Sequence, residues 1–437
     1  MSWRDDYNSR LCSMEEAVRI VESGDRFWTG LAVGQPSVEL MDALADRKDE
    51  LKDIEYIAAL NLKHYKLLQP EYRDVFAMVV DFYSSLARPT FARGESAYLP
   101  DQSSNVGQFN YERHRIFPRR TGMITQISPP DNHGFVSLGL DNFHTRQIID
   151  QGDWIIGEVN SNMPRTFGNT YYPVSRFDKL VENDEPLPIY TTPEATDVHK
   201  KMAEHVVSLL RDGDCLQVGI GAVPAMISKL IAKSDLKNLG IHTEMAPADT
   251  DALVGNGVVT GKRKNFDTGK MVMSFALGTQ QMYDFLGDNP AVEFYATTYC
   301  NAIPVLAREK NLVAINGSIE IDIVGTICSE SIGDTMYSGS GGQLDFVIGA
   351  YLSEGGRAIN LLPSTAKNGA ISRIVPYLAK GARVTVPRHY AQYIVTEYGV
   401  ADLTGRDERE RALALIEVAH PKFRDELLEA AKKRLML

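Results

Sequence analysis

Hydrophobic and polar positions along the chain follow the patterns of helices and of short buried strands. A helical pattern over residues 14–22 leads into Gly24-Asp25, and the apolar run 26–30 comes next. Pro36 then precedes a second helical pattern that reaches residue 51. Glycine favours a turn, and proline suits the first turn of a helix because its missing N–H is not needed there. The pattern predicts a helix–turn–strand–loop–helix unit.

The same order of elements returns in the second half of the chain. A helical pattern over 198–210 leads into Gly213-Asp214 and the apolar run 215–219, and a helical pattern around Pro224 extends to residue 236. In both copies a Gly-Asp turn starts a strand, and that strand ends at a glycine six positions after the first one. This internal repeat predicts an α/β protein of two similarly folded domains with mostly parallel sheets.

Polar, proline-containing segments at 183–186 and 192–194 indicate a linker. We therefore predict an N-terminal α/β domain over residues 1–190 and a C-terminal α/β domain over 191–437. Further apolar runs in the second half are typical of buried strands in a mostly parallel sheet. These runs span 271–277, 312–315, 358–362 and 384–386.

Composition and charge narrow the possible functions. The chain has 437 residues, of which 44% are hydrophobic and 24% charged, as in ordinary soluble globular proteins. A formal net charge of -11 argues against a general nucleic-acid binder. We see neither a membrane span nor a secretory signal, so we expect a cytoplasmic protein. The four cysteines lie far apart and form no CxxC pair, so neither a zinc ribbon nor a disulfide framework is expected.

The loop after the predicted strand 215–219 is a candidate ligand site. Gly219-Ile220-Gly221-Ala222-Val223 follows a strand and opens a helix. Glycines allow a ligand to approach the backbone closely, and a helix N-terminus offers free N–H groups to an anion. The motif lacks the third glycine of a dinucleotide site and the lysine of a P-loop. An ordinary strand–helix turn is the alternative.

A carboxylate follows the next predicted strand. Glu244 lies between Ile241 and Met245, at the strand end where open α/β sheets place their chemistry. A surface or capping glutamate is the alternative. On an extended strand His242 would share a face with Glu244. No second histidine stands at a zinc-binding spacing, so we predict no metal site and favour a structural role for His242.

Two other segments could carry chemistry. The loop 338–346 is the most glycine-dense in the chain, and its N–H groups, around Gly341 and Gly342, could surround an oxyanion or a phosphate. A flexible linker is the alternative. His133-Gly134 and Arg165 could belong to a site, or equally to a turn and a surface salt bridge.

Eight segments that occur in order along the chain carry a resemblance. They are residues 127–134, 158–166, 219–224, 241–245, 316–322, 328–333, 338–346 and 396–401. Together they closely resemble the acetyl-CoA hydrolase/CoA-transferase family, or class I CoA-transferases, nearest the 4-hydroxybutyrate and butyryl-CoA:acetate CoA-transferase branch. The resemblance covers nearly the whole chain, and the set is specific although no single motif is.

The resemblance implies an active site between the two domains, in which Glu244 forms a glutamyl-CoA thioester. It implies that residues 219–223 contact CoA, that Ile319, Gly341 and Gly342 line the CoA site, and that Asn301 lies near the reactive carboxylate. Related sequences often have an aspartate four residues after the glutamate. This chain has Ala248 there, with Asp249 beside it, which leaves the local turn in doubt.

The expected activity is ping-pong transfer of CoA between a short-chain acyl-CoA, such as 4-hydroxybutyryl- or butyryl-CoA, and an acid such as acetate. No permanently bound cofactor is expected, because CoA is a substrate and a carboxylate can attack a thioester without a metal. The alternatives are an acyl-CoA hydrolase that uses the same glutamate and a non-catalytic CoA-binding protein. The family resemblance also implies a homo-oligomer, a dimer or higher. The acyl group stays open, because one methylene changes binding by only about 1–3 kcal/mol.

Overall fold

A computed structural model describes residues 2–219 and 221–436. The chain divides into two compact units. The first unit comprises Met1–Tyr190 and Val272–Cys300, and the second comprises Thr191–Met271 and Asn301–Leu437. The predicted boundary at residue 190 coincides with the first crossing of the chain between the units.

The strands of both units are, in chain order, β1 (Arg26–Thr29), β2 (Ile54–Ala59), β3 (Phe76–Phe82), β4 (Ser96–Tyr98), β5 (Thr121–Ile127), β6 (Phe135–Ser137), β7 (Trp154–Val159), β8 (Phe167–Gly168), β9 (Tyr171–Pro173), β10 (Lys179–Glu182), β11 (Cys215–Val218), β12 (Gly240–Ile241), β13 (Met271–Met273), β14 (Val292–Phe294), β15 (Leu312–Gly317), β16 (Glu320–Asp322), β17 (Ile327–Cys328), β18 (Ser331–Ile332), β19 (Thr335–Met336), β20 (Arg357–Leu361), β21 (Thr365–Ala366), β22 (Ile371–Ser372), β23 (Ile374–Val375), β24 (Tyr393–Thr396) and β25 (Gly399–Asp402).

The α-helices are α1 (Trp3–Arg10), α2 (Met14–Ala17), α3 (Val38–Ala45), α4 (Arg88–Ala92), α5 (Val106–Ile116), α6 (Thr145–Gln151), α7 (Asp197–Val207), α8 (Ala222–Ala232), α9 (Thr250–Gly255), α10 (Gln280–Leu286), α11 (Thr297–Cys300), α12 (Ile303–Leu306), α13 (Gln343–Leu352), α14 (Glu408–Val418) and α15 (Arg424–Leu435). Short 3₁₀ helices span Val18–Ile20, Ala32–Gly34, Lys66–Leu68, Pro70–Tyr72, Ser103–Asn105, Val174–Arg176, Arg388–Tyr390 and Pro421–Phe423.

Each unit is built on one large sheet, as the repeat predicts. In the first unit the order is β10-β7-β5-β1-β2-β3-β4, and every pair of neighbours is parallel. In the second unit the order is β12-β11-β15-β20-β24-β25, parallel except for the final pair. Strands such as β2, β5 and β20 are buried along their whole length, as expected for inner strands of a mostly parallel sheet, although each also contains a polar residue. The predicted fold class is therefore confirmed.

The two Gly-Asp turns share their local structure. Gly24 and Gly213 both have a left-handed backbone, with φ of 89° and 82°, which glycine adopts without steric cost. The carboxylate of Asp25 accepts the N–H of the residue three positions earlier, and Asp214 does the same in the second unit. The glycine that ends each strand donates to the neighbouring parallel strand in both units. Matching hydrogen bonds thus accompany the matching sequence pattern.

Two expectations about the second half differ from the structure. The segment 272–300, which the sequence analysis placed in the C-terminal domain, lies in the first unit. In that unit β14 pairs with β8. The expectation differed because an apolar run indicates that a strand is buried but does not indicate which sheet the strand joins. The predicted strand at 384–386 is wrong: Val384 is exposed, and only Val386 forms an isolated bridge. Only five residues separate Gly381 from Pro387, and both of these residue types favour turns and interrupt strands.

The C-terminal region is helical. It consists of α14 and α15, which are separated at His420-Pro421. Their apolar residues, including Leu415 and Leu427, pack in the core of the second unit. In the part of the chain that the structure describes, no helix combines the length and apolar character needed to cross a membrane.

Candidate active site

Glu244 stands three residues beyond the end of β12, the edge strand of the sheet in the second unit. Ile241 pairs with Leu216 of β11, and the backbone N–H of His242 donates to the Leu216 carbonyl at 3.1 Å. The strand then stops, and Glu244 lies in a bend with its side chain partly buried. Because carboxyl ends of parallel strands meet at one edge, this position faces the loops that follow the neighbouring strands.

The carboxylate of Glu244 is held by an amide from a distant part of the sequence. Nδ2 of Asn301 donates to Oε2 of Glu244 at 2.5 Å, and Asn301 is fully buried. Its Oδ1 is also buried and has no hydrogen-bond partner among the described residues. This amide fixes the orientation of one carboxylate oxygen.

Gly342 packs directly on this pair. A Cβ atom built on Gly342 would overlap both Oε2 of Glu244 and Nδ2 of Asn301, so no other residue fits here without displacement. Gly341, with φ of 52°, shapes the preceding turn, and Gly342 is the N-cap of α13. The partial positive charge at the start of a helix therefore lies beside the carboxylate. The structure brings Glu244, Asn301 and Gly342 into one cluster.

The loop after β11 lies beside this cluster in the sheet. Gly219 follows β11, three residues beyond Leu216, as Glu244 stands three residues beyond the paired Ile241. Gly221 has φ of 122° and is the N-cap of α8, whose first residues are Ala222 and Val223. Ile220 lies outside the described residues. The predicted strand–glycine–helix arrangement is present.

Polar side chains also meet at the ends of β11 and β15. Gln217 and Asn316 exchange two amide hydrogen bonds, of 3.1 and 2.9 Å. Ile319 follows β15 and is partly buried, and its N–H donates to the carbonyl of Cys328. The carbonyl of Ile319 accepts from the guanidinium of Arg373 at 3.2 Å.

A buried lysine supports the strand that leads to Glu244. The N–H groups of Gly240 and His242 donate to the carbonyls of Asp214 and Leu216, on the β11 side of the strand, so the carbonyl of Ile241 points to the open edge of the sheet. Lys264 is buried, its stem packs against Gly240, and Nζ donates to the Ile241 carbonyl at 3.3 Å and to the Lys270 carbonyl at 3.2 Å. The ammonium of Lys264 thus donates to the Ile241 carbonyl the hydrogen bond that a further strand would supply.

A buried carboxyl group completes this support. Glu309 is fully buried and accepts the N–H of Asn265, while its Oε2 has no hydrogen-bond partner among the described residues. Burial raises the pKa of Glu309 to about 7, although the positive charge of Lys264 opposes the rise. The group therefore titrates near neutral pH.

Other candidates have structural roles. His242 is buried with its ring edge-to-face against Phe266, as expected for a structural histidine. The backbone N–H of His133 donates to the carboxylate of Asp131 and stabilises a turn. Arg165 donates to the same carboxylate and forms a salt bridge with it. Asp249 is the N-cap of α9 and adopts a left-handed conformation, with φ of 56°. None of the four cysteines forms a disulfide, and no metal-binding cluster occurs within residues 2–219 and 221–436.

Lys264, Glu309 and Arg373 are not among the residues that the sequence patterns singled out. Lys264 belongs to the basic segment Lys262-Arg263-Lys264, whose other two members are exposed, so the run resembles a solvated surface. The sequence feature that could have indicated burial of Lys264 is the aromatic residue Phe266, two positions later. Arg373 and Glu309 carry no local signal, because their surroundings come from segments far away in sequence.

Models of known families match both parts of the chain. Residues 1–191 match the acetyl-CoA hydrolase/transferase N-terminal domain, and residues 278–431 match the acetyl-CoA hydrolase/transferase C-terminal domain.

Individual proteins are similar over the full length. A 4-hydroxybutyrate coenzyme A transferase of Clostridium kluyveri is 39% identical, over 99% of this chain and 100% of its own. A butyryl-CoA:acetate CoA-transferase of Anaerostipes caccae is 39% identical, over 99% and 98%. The crystal structure of RipA from Yersinia pestis superposes with a TM-score of 0.92 at 35% identity and covers all of both chains.

Proposed function

The chain belongs to the acetyl-CoA hydrolase/transferase family, and we propose that it moves CoA between a short-chain acyl-CoA and an acid such as acetate. It is a CoA-transferase, the activity in the names of both curated relatives. The proposed acyl-CoA is 4-hydroxybutyryl- or butyryl-CoA. The reaction would be ping-pong through a thioester of CoA with Glu244.

The observation that carries this proposal is the cluster of Glu244, Asn301 and Gly342. A carboxylate is a weak nucleophile in water, so catalysis requires that it be oriented and partly desolvated. The 2.5 Å bond from Asn301 supplies the orientation, and the partly buried position supplies the desolvation. Glycine at 342 leaves the space that a thioester carbonyl needs beside the carboxylate.

The proposed chemistry balances without a cofactor. A carboxylate oxygen of Glu244 attacks the thioester carbonyl, the C–S bond breaks, and CoA leaves as a thiolate. The resulting mixed anhydride is attacked by that thiolate at the glutamyl carbonyl. The anhydride C–O bond then breaks, the first acid leaves as a carboxylate, and glutamyl-CoA remains. An incoming acid reverses both steps.

Each attack forms an oxyanion that needs donors. We propose that backbone N–H groups of the Gly341-Gly342 turn and the start of α13 stabilise it. The loop 219–223, Ile319 and Gly341 would line the CoA that leaves and returns. Water must stay out of the site, because hydrolysis of the anhydride would waste the thioester.

The decisive experiment traps the intermediate. Incubation with butyryl-CoA and no acid acceptor should leave CoA on the protein, and borohydride should then reduce the thioester and inactivate the enzyme. Peptide mass mapping should locate the reduced side chain at Glu244. Glu244→Ala should lose acyl exchange, and Glu244→Asp should be strongly impaired, because it shortens the side chain by about one bond and near-attack geometry tolerates little misplacement. CoA trapped on another carboxylate would contradict the mechanism.

The same preparation separates the alternatives. A transferase releases free CoA from butyryl-CoA slowly and forms acetyl-CoA only when acetate is present. A hydrolase would release CoA at full rate without acetate, and a non-catalytic binding protein would do neither.

A further inference from the structure

Arg373 is a partly buried cation without an acidic partner. It lies between β22 and β23 of the second unit, and no carboxylate of the described residues forms an ion pair with it. Two more deeply buried arginines of this chain do have such partners: Arg26 pairs with Glu55 and Arg357 pairs with Asp214. A guanidinium that is removed from water without a counter-charge is costly unless a ligand compensates it.

The hydrogen bonds of Arg373 leave most of its donors unused by protein. Nη1 donates to the Ile319 carbonyl, and Nε is buried without a hydrogen-bond partner among the described residues. Nη2 makes no hydrogen bond to a described residue either, but unlike Nε it is not sealed from solvent. The side chain therefore presents an accessible donor edge. Burial lowers the pKa of Arg373, although the group stays charged at neutral pH.

The position of Arg373 links it to the candidate active site. Its carbonyl accepts the N–H of Ile321, so its backbone continues the small sheet that holds Ile319. It also interacts electrostatically with Tyr337, which directly precedes the loop 338–342. That loop ends at Gly342 against Glu244. Arg373 contacts the proposed CoA-lining residue and not the reactive carboxylate.

We propose that Arg373 binds a phosphate group of CoA, an assignment that rests on the proposed function. An arginine fork matches phosphate oxygens, and a charge-assisted bond there would compensate the buried guanidinium. The carboxylate of the acid substrate is the other anion of the reaction. It must meet Glu244 and Asn301, whereas Arg373 bonds to Ile319, and this favours the phosphate.

The first test compares Arg373→Met with wild type in steady-state acyl exchange. Loss of a charged hydrogen bond should raise the KM for butyryl-CoA about ten- to a hundredfold. The kcat and the KM for acetate should change little. Arg373→Lys, which keeps the charge, should recover much of the affinity.

A matched control separates binding from folding. Arg411, in the same unit, also has no ion-pair partner among the described residues, but it donates to the carbonyls of Val324, Arg388 and Arg406. Arg411→Met should lower thermal stability without changing the KM for butyryl-CoA. If Arg373→Met behaves in the same way, the residue is structural and the proposal fails.

Truncated substrates identify the anion. Wild type should prefer butyryl-CoA to butyryl-pantetheine, and Arg373→Met should reduce this preference by the factor seen in KM. Butyryl-dephospho-CoA then identifies which phosphate Arg373 contacts. If wild type does not prefer butyryl-dephospho-CoA to butyryl-pantetheine, the contact is with the 3′-phosphate. If wild type keeps that preference, the contact is with the pyrophosphate. A raised KM for acetate with an unchanged preference would move Arg373 to the acid site and overturn the proposal.

Calorimetric titration with free CoA keeps this inference separate from the proposed function. Arg373→Met should bind CoA more weakly than wild type, whether or not exchange is observed. If wild type exchanges acyl groups but the variant binds CoA normally, only the inference fails. If CoA binding depends on Arg373 and no exchange occurs, only the proposed function fails.

Discussion

Among single residues, Gly342 carries the strictest steric requirement of the candidate site. Its position admits no side chain, because Glu244 Oε2 and Asn301 Nδ2 occupy the space where a Cβ atom would lie. The glycine is required for this close approach and not for its backbone angles, since its φ is -88°. A sequence pattern of glycines cannot distinguish these two reasons.

We therefore expect Gly342→Ala to displace the carboxylate or its amide partner. A misplacement of about 1 Å can reduce a rate a hundredfold, so kcat/KM for acyl exchange should fall by about that factor. Gly255→Ala is the matched control, because a Cβ at Gly255 meets no atom within 4 Å. The control should keep full activity. A fully active Gly342→Ala would remove this residue from the site.

Glu309 makes stability depend on pH. Its pKa is about 7 in the folded chain against an ordinary 4.5. Between these values the folded state binds more protons than the unfolded state, so stability falls as pH rises through this window. Below about pH 4.5 the penalty is absent, and above about pH 7 it reaches its full size of about 3 kcal/mol.

Urea unfolding at several pH values checks this expectation. Glu309→Gln removes the titration, so its stability relative to wild type should rise between pH 5 and pH 8. Asp141, buried with a pKa raised to about 6, remains in both proteins and cancels in the comparison. Stability curves that run parallel over this range would show that Glu309 does not titrate there.

At the scale of elements, the edge strand β12 is the support of Glu244. The backbone of the following segment covers the outer side of this strand first, as the N–H groups of Thr260 and Gly261 donate to the Leu239 carbonyl. The segment then turns away, and the Lys264 ammonium continues the cover at Ile241. An unpaired carbonyl here would let the end of the strand move.

Lys264→Met keeps the length of the side chain and removes the donors. We expect a loss of about 2–4 kcal/mol in unfolding free energy, since the Ile241 and Lys270 carbonyls lose their donor and Glu309 loses a nearby positive charge. We also expect kcat to fall about tenfold or more, with little change in the KM for butyryl-CoA, because Glu244 would be less well oriented.

Arg357→Met is the control for stability alone. This buried arginine pairs with Asp214 at the start of β11, the opposite end of the strand from Gly219. It should unfold more easily but keep the kcat of wild type at temperatures where it is folded. An equal loss of kcat in both variants would assign Lys264 a general structural role.

At the scale of the whole molecule, the chain passes between its two units three times, at residues 190, 271 and 300. The segment Val272–Cys300 contributes buried residues such as Met273, Tyr283 and Phe294 to the first unit. A fragment of residues 191–437 would carry these apolar side chains without the rest of that unit.

We expect this fragment to aggregate or to lack a cooperative thermal transition, because its exposed apolar surface has nothing to pack against. Thermal unfolding followed by circular dichroism, with the full chain as reference, measures this. A fragment that unfolds cooperatively near the temperature of the full chain would contradict the assignment of 272–300 to the first unit.

The sequence by itself determined the repeated local structure. The Gly-Asp turns, the buried strands after them and the helices that follow depend on short-range rules of backbone freedom and hydrophobic period, which nearby residues express. The same rules pointed to Glu244 and the glycine loop at 342, and the family resemblance alone added Asn301; the roles of all three stay predictions. A site between two domains and a homo-oligomer also stay predictions.

Only the tertiary structure decided which distant segments meet. It joined Asn301 to Glu244, set Lys264 against Ile241, left Arg373 without a counter-charge and gave 272–300 to the first unit. A buried lysine and an exposed lysine are the same letter in a sequence, and the apolar pattern of a strand is the same whichever sheet the strand joins. The free energy that distinguishes them comes from burial and long-range pairing, which depend on neighbours remote in sequence.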